Sequence, residues 1–140
     1  MRIANVNLSQ ANNTYKAALR VTPEAKNVVY QQGYGNTIIS SQVFDRSMNK
    51  FQSMLYGEFP FAKDVFFDAI SKKTKAVKPH TKAKHEMRLF DKTVDFDFNI
   101  DGIKHDYSGR PIEEKIENEA NKQAGYLYDT YLYLRGLCGA

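Results

Sequence analysis

A chain of 140 residues, of which 42% are hydrophobic and 26% charged, has the size and composition of one ordinary folded domain, so we expect residues 1–140 to share a single core. No apolar run approaches the roughly 20 residues that a membrane-spanning helix needs, so we expect no membrane partner. The net charge of +4 arises from one short segment, because residues 72–90 carry seven basic side chains and one acidic one, whereas 91–140 are acidic.

The first forty residues show the patterns of β-strands. Apolar and polar residues alternate over 15–21, which is typical of a half-buried strand. Thr22 and Pro23 interrupt this pattern, residues 27–32 predict a second strand, and the glycines in 33–36 predict a turn.

The next two segments predict helices. The first begins at an N-cap serine, Ser40 or Ser41, and ends at Tyr56, because apolar residues recur there every three or four positions and Gly57 follows. The second covers 60–70, with a proline in its first turn and apolar residues around most of its circumference.

Residues 72–86 predict a flexible basic linker, because they are rich in lysine, contain a proline and show no apolar period. Clustered lysines neutralise phosphates, so a nucleic acid or another polyanion is an alternative partner. The segment has no aromatic residue to stack on bases, and a solvated loop or an internal contact with acidic residues explains the same charge. The candidate nucleic-acid-binding residues are Lys72, Lys73, Lys75, Lys78, Lys82, Lys84 and Arg88.

Residues 94–107 predict a β-hairpin. Apolar and polar residues alternate on both sides of Asp101-Gly102, a dipeptide that favours a two-residue hairpin turn. In this hairpin His105 would face Phe98, which predicts a core histidine.

Residues 109–136 predict a long helix that begins near Pro111 and ends at Gly136. At about 100° per residue, its apolar side chains form one stripe that should face the core. The stripe comprises Ile112, Ile116, Ala120, Ala124, Leu127, Tyr131, Leu134 and Cys138. All elements together predict an α+β fold in which a small, mainly antiparallel sheet, made of the N-terminal strands and the 94–107 hairpin, packs against about three helices.

Three carboxylates, those of Asp95, Asp97 and Asp106, would share the outer face of this hairpin. Like charges on facing strands destabilise a sheet, so a positive group should lie there: Lys104, the basic linker or a bound cation. Residues 97–102 match the first half of a calcium loop, but the bidentate glutamate that such a loop requires is replaced by a serine. We therefore favour neutralisation by lysines over calcium or enzymatic use of these carboxylates.

Other signals of catalysis or zinc binding are weak. His80 and His85 lack a recognised ligand spacing, and Cys138 lies at the end of the last helix, where a nucleophile would be poorly held. We therefore expect no catalytic residue and no cofactor.

The C-terminal helix carries an unusual number of tyrosines. Its core stripe leaves several large side chains pointing elsewhere, and tyrosine is enriched at the energetic centres of protein interfaces. These side chains either pack within the domain or form a surface for a protein partner or a second copy. The candidate partner-binding residues are Tyr126, Tyr128, Leu132 and Tyr133.

The preferred interpretation is a non-catalytic interaction protein that uses this tyrosine-rich helix. Nucleic-acid binding through the basic linker is the alternative, and calcium binding or enzymatic use of the hairpin carboxylates comes third. The absence of a signal peptide and the single cysteine predict a cytoplasmic protein. The polar opening, 5–14, would also suit delivery by a non-classical secretion route.

Overall fold

The structure is a computed structural model that describes residues 19–32, 37–57, 64–70 and 83–139. Within these ranges the chain forms four strands and four helices. In chain order they are β1 Leu19–Val21, α1 Pro23–Gln32, α2 Thr37–Tyr56, β2 Val65–Ala69, β3 Ala83–Leu89, β4 Lys92–Phe98, α3 Asp101–Lys104 and α4 Ile112–Leu137.

The strands form one mixed sheet in the order β1-β2-β3-β4. β1 and β2 are parallel, whereas the β2–β3 and β3–β4 pairs are antiparallel. The predicted α+β fold with a mainly antiparallel sheet is therefore confirmed.

The helices pack on one face of this sheet. α1 lies on β2 and β3, α4 lies on β3 and β4, and α2 contacts both of these helices. The strand side chains on this inner face are buried because apolar residues alternate along β2, β3 and β4. They are Val65, Phe67, Ala69, His85, Met87, Leu89, Phe96 and Phe98. The outer face carries mostly polar side chains, including Glu86 and Asp95.

The long helix α4 is confirmed, and so is most of its core stripe. Ile116, Ala120, Ala124, Leu127, Tyr131 and Leu134 are all buried. The ends of the stripe depart from the prediction, because Ile112 is half exposed and Cys138 only partly buried.

The helix α2 is also confirmed, although it begins at Thr37 rather than at Ser40 or Ser41. Ser40 is fully buried within the helix, so it is not the cap. Gly57 ends the helix as predicted, with its N–H donated to the carbonyl oxygen of Met54 at 3.1 Å. The buried side of α2 consists of Val43, Phe44, Met48, Phe51 and Leu55.

The predicted second strand over 27–32 is wrong, because this segment belongs to α1. Thr22, taken as a strand breaker, caps the helix: its Oγ1 accepts the N–H of Ala25 at 3.3 Å. Pro23 then occupies the first helical position, where its missing N–H has no cost. Val28 and Val29 follow at helical spacing and are buried. Residues 33–36, predicted as a turn, and 15–18 of the first predicted strand lie outside the described residues.

The predicted helix over 60–70 is wrong in its described part, because Val65–Ala69 form the strand β2; residues 60–63 lie outside the described residues. The inward side chains of β2 are apolar, as in any half-buried strand. Phe66 points outward but is covered by the guanidinium of Arg88, 4.1 Å above its ring centroid. A strand with apolar residues on both faces has no alternating pattern, so it resembled a buried helix.

The hairpin turn lies eleven residues earlier than predicted. β3 and β4 pair from Ala83↔Phe98 to Leu89↔Lys92, so the turn is Phe90-Asp91. Phe90 adopts a left-handed φ of 57°, an uncommon conformation for a bulky residue that no sequence signal indicates. The predicted linker 72–86 therefore ends before Ala83, and residues 71–82 lie outside the described residues.

Asp101-Gly102 is not a hairpin turn but part of the short helix α3. Gly102 is required there by a close contact, since a Cβ at this position would lie 2.7 Å from Glu119 Oε1. Glu119 is buried and is bound to Lys122 and Gln123, so it has little freedom to move. His105, predicted to lie in the core, is exposed because the second strand of that hairpin does not form.

Two glycine substitutions test this packing. Gly102→Ala should lower the free energy of unfolding by about 1–3 kcal/mol, because the added methyl group overpacks against Glu119. Gly125→Ala is the matched control: its Cβ would meet nothing within 4 Å, so it should stabilise α4 by about 1 kcal/mol. Urea unfolding of both variants checks the pair, and equal effects at the two positions would contradict the packing.

An ion-pair cluster joins α2 to the first half of α4. Arg46 contacts Glu113 and Glu117, and Lys50 contacts Glu117 with an Nζ–Oε2 distance of 2.6 Å. The hydrogen bond from Lys50, followed by that from Arg46, lowers the pKa of Glu117 below its ordinary value. A lowered folded-state pKa means that this contribution to stability is present above the unfolded pKa and is lost as the pH falls through the folded pKa.

Glu117→Gln should therefore lower the melting temperature at neutral pH and have progressively less effect as the pH falls below about 4.5. Thermal melts at several pH values measure this convergence. The control is Glu114→Gln, whose carboxylate pairs with Arg110, just before α4, and not with α2. A Glu117→Gln effect that is independent of pH would contradict an ionic role for this contact.

Candidate interaction surface

The second half of α4 lies antiparallel to β4. Two hydrogen bonds fix this placement: Gln123 Nε2 donates to the carbonyl oxygen of Asn99 at 2.6 Å, and Cys138 Sγ donates to that of Leu89 at 3.4 Å. Asn99 follows the end of β4, and Leu89 is paired with the first residue of β4. The helix from 123 to 138 rises about 22 Å, and a seven-residue strand spans about 23 Å. The second half of α4 therefore runs along β4, from Asn99 to the β3–β4 turn.

One flank of α4 faces away from α2. Glu113 and Glu117 bind α2 on one side of the helix, whereas Glu119 lies against α3, which follows β4 in the chain. Residues seven apart in a helix lie on nearly the same flank, so Tyr126 and Tyr133 continue the Glu119 side. Because α2 also contacts α1, which lies on β2 and β3, the flank of α4 opposite α2 faces the outer edge of β4.

Three exposed side chains on this flank are large and apolar. Tyr126 is 52% exposed, Tyr133 61% and Leu137, one turn further on, 45%. Thr130 lies between them, with its hydroxyl donated to the carbonyl oxygen of Tyr126 at 2.8 Å. We call Tyr126, Tyr133 and Leu137 the tyrosine flank.

The four predicted partner-binding residues do not lie on one surface. Tyr126 and Tyr133 lie on the tyrosine flank, whereas Tyr128 and Leu132, four residues apart, lie on the other side of α4. Tyr128 is half-buried, with its ring 6.0 Å from that of Tyr131, and Leu132 is exposed. Leu137 was missed, although its spacing of four residues from Tyr133 was the signal that could have found it.

β4 is an edge strand. Among the described residues, no strand pairs with the side of β4 that faces away from β3. We call this side the open edge. Along it Phe96 and Phe98 point inward and are buried, whereas Thr93, Asp95 and Asp97 point to the outer face and are exposed. An unpaired edge presents N–H and C=O groups that can bind another strand.

The charges on the outer face near this edge are only partly balanced. Lys84 lies opposite Asp97, with an Nζ–Oδ1 distance of 3.4 Å. A lysine of the predicted basic linker therefore neutralises one carboxylate, which was one of the predicted alternatives. Glu86 and Asp95, however, lie directly opposite each other. Like charges in this position destabilise the strand pair.

The predicted metal residues are not brought together. Asp106 lies beyond α3, where its Oδ1 accepts the N–H of Ser108 at 2.9 Å, whereas the exposed residues Asp95 and Asp97 belong to β4. In the part of the chain that the structure describes, no three His, Cys, Asp or Glu side chains are arranged to hold a metal ion. The half-matching calcium loop spans the end of β4 and α3 instead of forming a loop.

The predicted nucleic-acid residues are described only in part. Lys72, Lys73, Lys75, Lys78 and Lys82 lie outside the described residues. Lys84 binds Asp97, and Arg88 lies on Phe66 with its Nη1 donated to the carbonyl oxygen of Phe90. Both cations therefore have partners on an outer face that also carries carboxylates.

A cleft of about 430 Å³ lies between α2 and the junction of β1 with α1. Lys26 and Asp45 form an ion pair across it at 3.1 Å. Hydrogen bonds with Tyr30 and then Asp45 raise the pKa of Lys26, which keeps its amine protonated and poorly nucleophilic. Hydrogen bonds with Ser41 and then Lys26 lower the pKa of Tyr30. Val21, Phe44 and Met48 supply the apolar part of the lining.

Among the described residues, the buried histidine is His85. Its ring stacks on Phe67 at a centroid distance of 4.7 Å, and its Nε2 lies 2.9 Å from the carbonyl oxygen of Ala25. It therefore joins the inner face of the sheet to α1. His80 lies outside the described residues.

Comparison with protein-family models, with curated proteins and with solved structures found no match to this chain. Within the described ranges, no helix combines the length and the apolar character needed to span a bilayer.

The unbalanced pair on the outer face gives a direct test of the β3–β4 register. Asp95→Lys should raise the free energy of unfolding by about 0.5 kcal/mol, because attraction to Glu86 replaces repulsion. Asp129→Lys makes the same charge change at an exposed site of α4 and should have little effect. Urea unfolding at low salt measures both, and destabilisation by Asp95→Lys would contradict the assigned pairing.

Proposed function

We propose that the protein is a non-catalytic binding protein whose tyrosine flank binds another polypeptide chain. The observation that carries the proposal is the exposure of three large apolar side chains in one stripe, beside an edge that no described strand covers. Removing such a stripe from water on binding is favourable. Tyrosine in particular combines a large apolar ring with a hydroxyl that tolerates solvent in the free protein.

The domain does not need these three side chains for its own core. Tyr126, Tyr133 and Leu137 belong neither to the buried cluster nor to the half-buried residues that pack against it. The core side of α4 is complete without them, since its stripe from Ile116 to Leu134 is buried. Their apolar character on an exposed flank is therefore available for a contact outside the domain.

A polyanion is less well supported as the partner. The described cations of the basic segment, Lys84 and Arg88, are already engaged. Glu86, Asp95 and Asp97 surround them and would repel phosphates. Binding to a polyanion would then depend on the five lysines between positions 72 and 82 alone.

A selection from a random peptide library tests the proposal. Peptides selected on the wild-type protein should lose at least about tenfold in affinity for the double variant Tyr126→Asp/Tyr133→Asp, because two apolar contacts become charged. Fluorescence anisotropy measures the binding. The control is Tyr107→Asp, the same substitution at a tyrosine that is 86% exposed outside α4, and it should leave the affinity unchanged.

Thermal melts establish first that the variants remain folded. Equal binding to the wild type and to the double variant would overturn the proposal, and so would a library that yields no binder. Selection dominated by acidic peptides that release at high salt would point to the basic segment instead.

A further inference from the structure

We infer that the partner of the tyrosine flank binds as an extended strand that adds to the open edge of β4, with lysine or arginine on its outward-facing positions. This inference rests on the proposed function and specifies the chemistry of its partner. Three observations carry it: the open edge, the apolar flank beside it, and the sign of the charges on the outer face.

A strand added to the open edge of β4 would bring its inward side chains beside the tyrosine flank. A strand that pairs with β4 lies about 4.8 Å from it, and its side chains alternate between the two faces of the sheet. The inward side chains of such a strand would extend to the helix side, where Tyr126, Tyr133 and Leu137 flank the edge over about 16 Å of helix. One added strand therefore satisfies the backbone groups of the edge and covers the apolar flank at once, a known mode of peptide recognition.

The carboxylates on the outward face of β4 favour a basic partner. The outward positions of β4 are Thr93, Asp95 and Asp97. Asp97 has Lys84 as a partner on β3, but Asp95 faces Glu86. Opposite charges on facing strands stabilise a pair, so an added strand with lysine or arginine beside Asp95 would supply the positive charge that β3 does not.

The same carboxylates argue against a second copy of this chain as the occupant. If two β4 strands paired antiparallel about Asp95, the two Asp95 carboxylates would lie directly opposite each other. Charged side chains on an edge strand are a common means of preventing such self-pairing. The expected partner is therefore a different strand, apolar on one face and basic on the other.

Synthetic peptides of seven residues, the length of β4, test the inference. One alternates valine with lysine, and its counterpart alternates valine with glutamate. Fluorescence anisotropy should show that the wild-type protein binds the lysine peptide about tenfold more tightly than the glutamate peptide. Asp95→Lys should abolish or reverse this preference. Glu24→Lys makes the same charge change on α1, far from the edge, and should preserve it.

N-methylation of the lysine peptide tests strand addition separately from charge. In a strand only alternate N–H groups point to a given neighbour. Methylating one alternate set should therefore weaken binding at least about tenfold, whereas methylating the other set should have little effect.

The possible failures are distinguishable. If the lysine peptide fails to bind, or if both methylated sets bind equally, the strand inference is wrong. If library peptides still depend on Tyr126 and Tyr133 in that case, the proposed function stands with a partner of another shape, such as a helix. If binding is insensitive to both tyrosines, the proposed function fails together with the inference.

Discussion

The packing of α4 along β3 and β4 determines the arrangement of the other elements. Eight of its residues are buried, and its second half is held antiparallel to β4 by hydrogen bonds at both ends, from Gln123 to Asn99 and from Cys138 to Leu89. Another side of α4 is bound to α2 through the ion pairs of Arg46 with Glu113 and Glu117. One side is fixed to α2 and the core side is fixed to the sheet, whereas the flank beside β4 carries exposed apolar side chains.

This constraint explains why the exposed tyrosines lie where they do. β4 ends the described sheet, so beyond the short helix α3, which contacts Glu119, α4 has no neighbouring helix on its outer side among the described residues. Tyr126 and Tyr133 therefore border a strand edge rather than a helix groove. A surface that combines an apolar stripe with unpaired backbone groups favours an extended partner, because one strand satisfies both. The carboxylates of β4 then select among such partners by charge.

The sequence predicted those parts of the fold in which one pattern dominates. α2 and α4 are long, and each buries one apolar side, so their period was clear. The predictions for the α1 and β2 segments were wrong for different reasons. Thr22-Pro23 ends β1 but also begins α1. In β2 an apolar residue, Phe66, lies on the outer face, where Arg88 covers its ring. The dipeptide Asp101-Gly102 has the usual sequence of a hairpin turn, but the glycine is explained by its close tertiary contact with Glu119. The tyrosines could be predicted as a candidate surface, whereas their position beside β4 depends on long-range contacts that no local pattern contains.

The central claim is that β4 has an open edge beneath the tyrosine flank, and residue-resolved amide hydrogen exchange of the full chain tests it most directly. β3 has a strand on both sides, so its amide protons between His85 and Arg88 should all be protected. Along β4, alternate amide protons should exchange fast, because they point away from β3 and toward solvent. Uniform protection along β4, equal to that of β3, would contradict the claim, because it would mean that the edge is already occupied within the free protein.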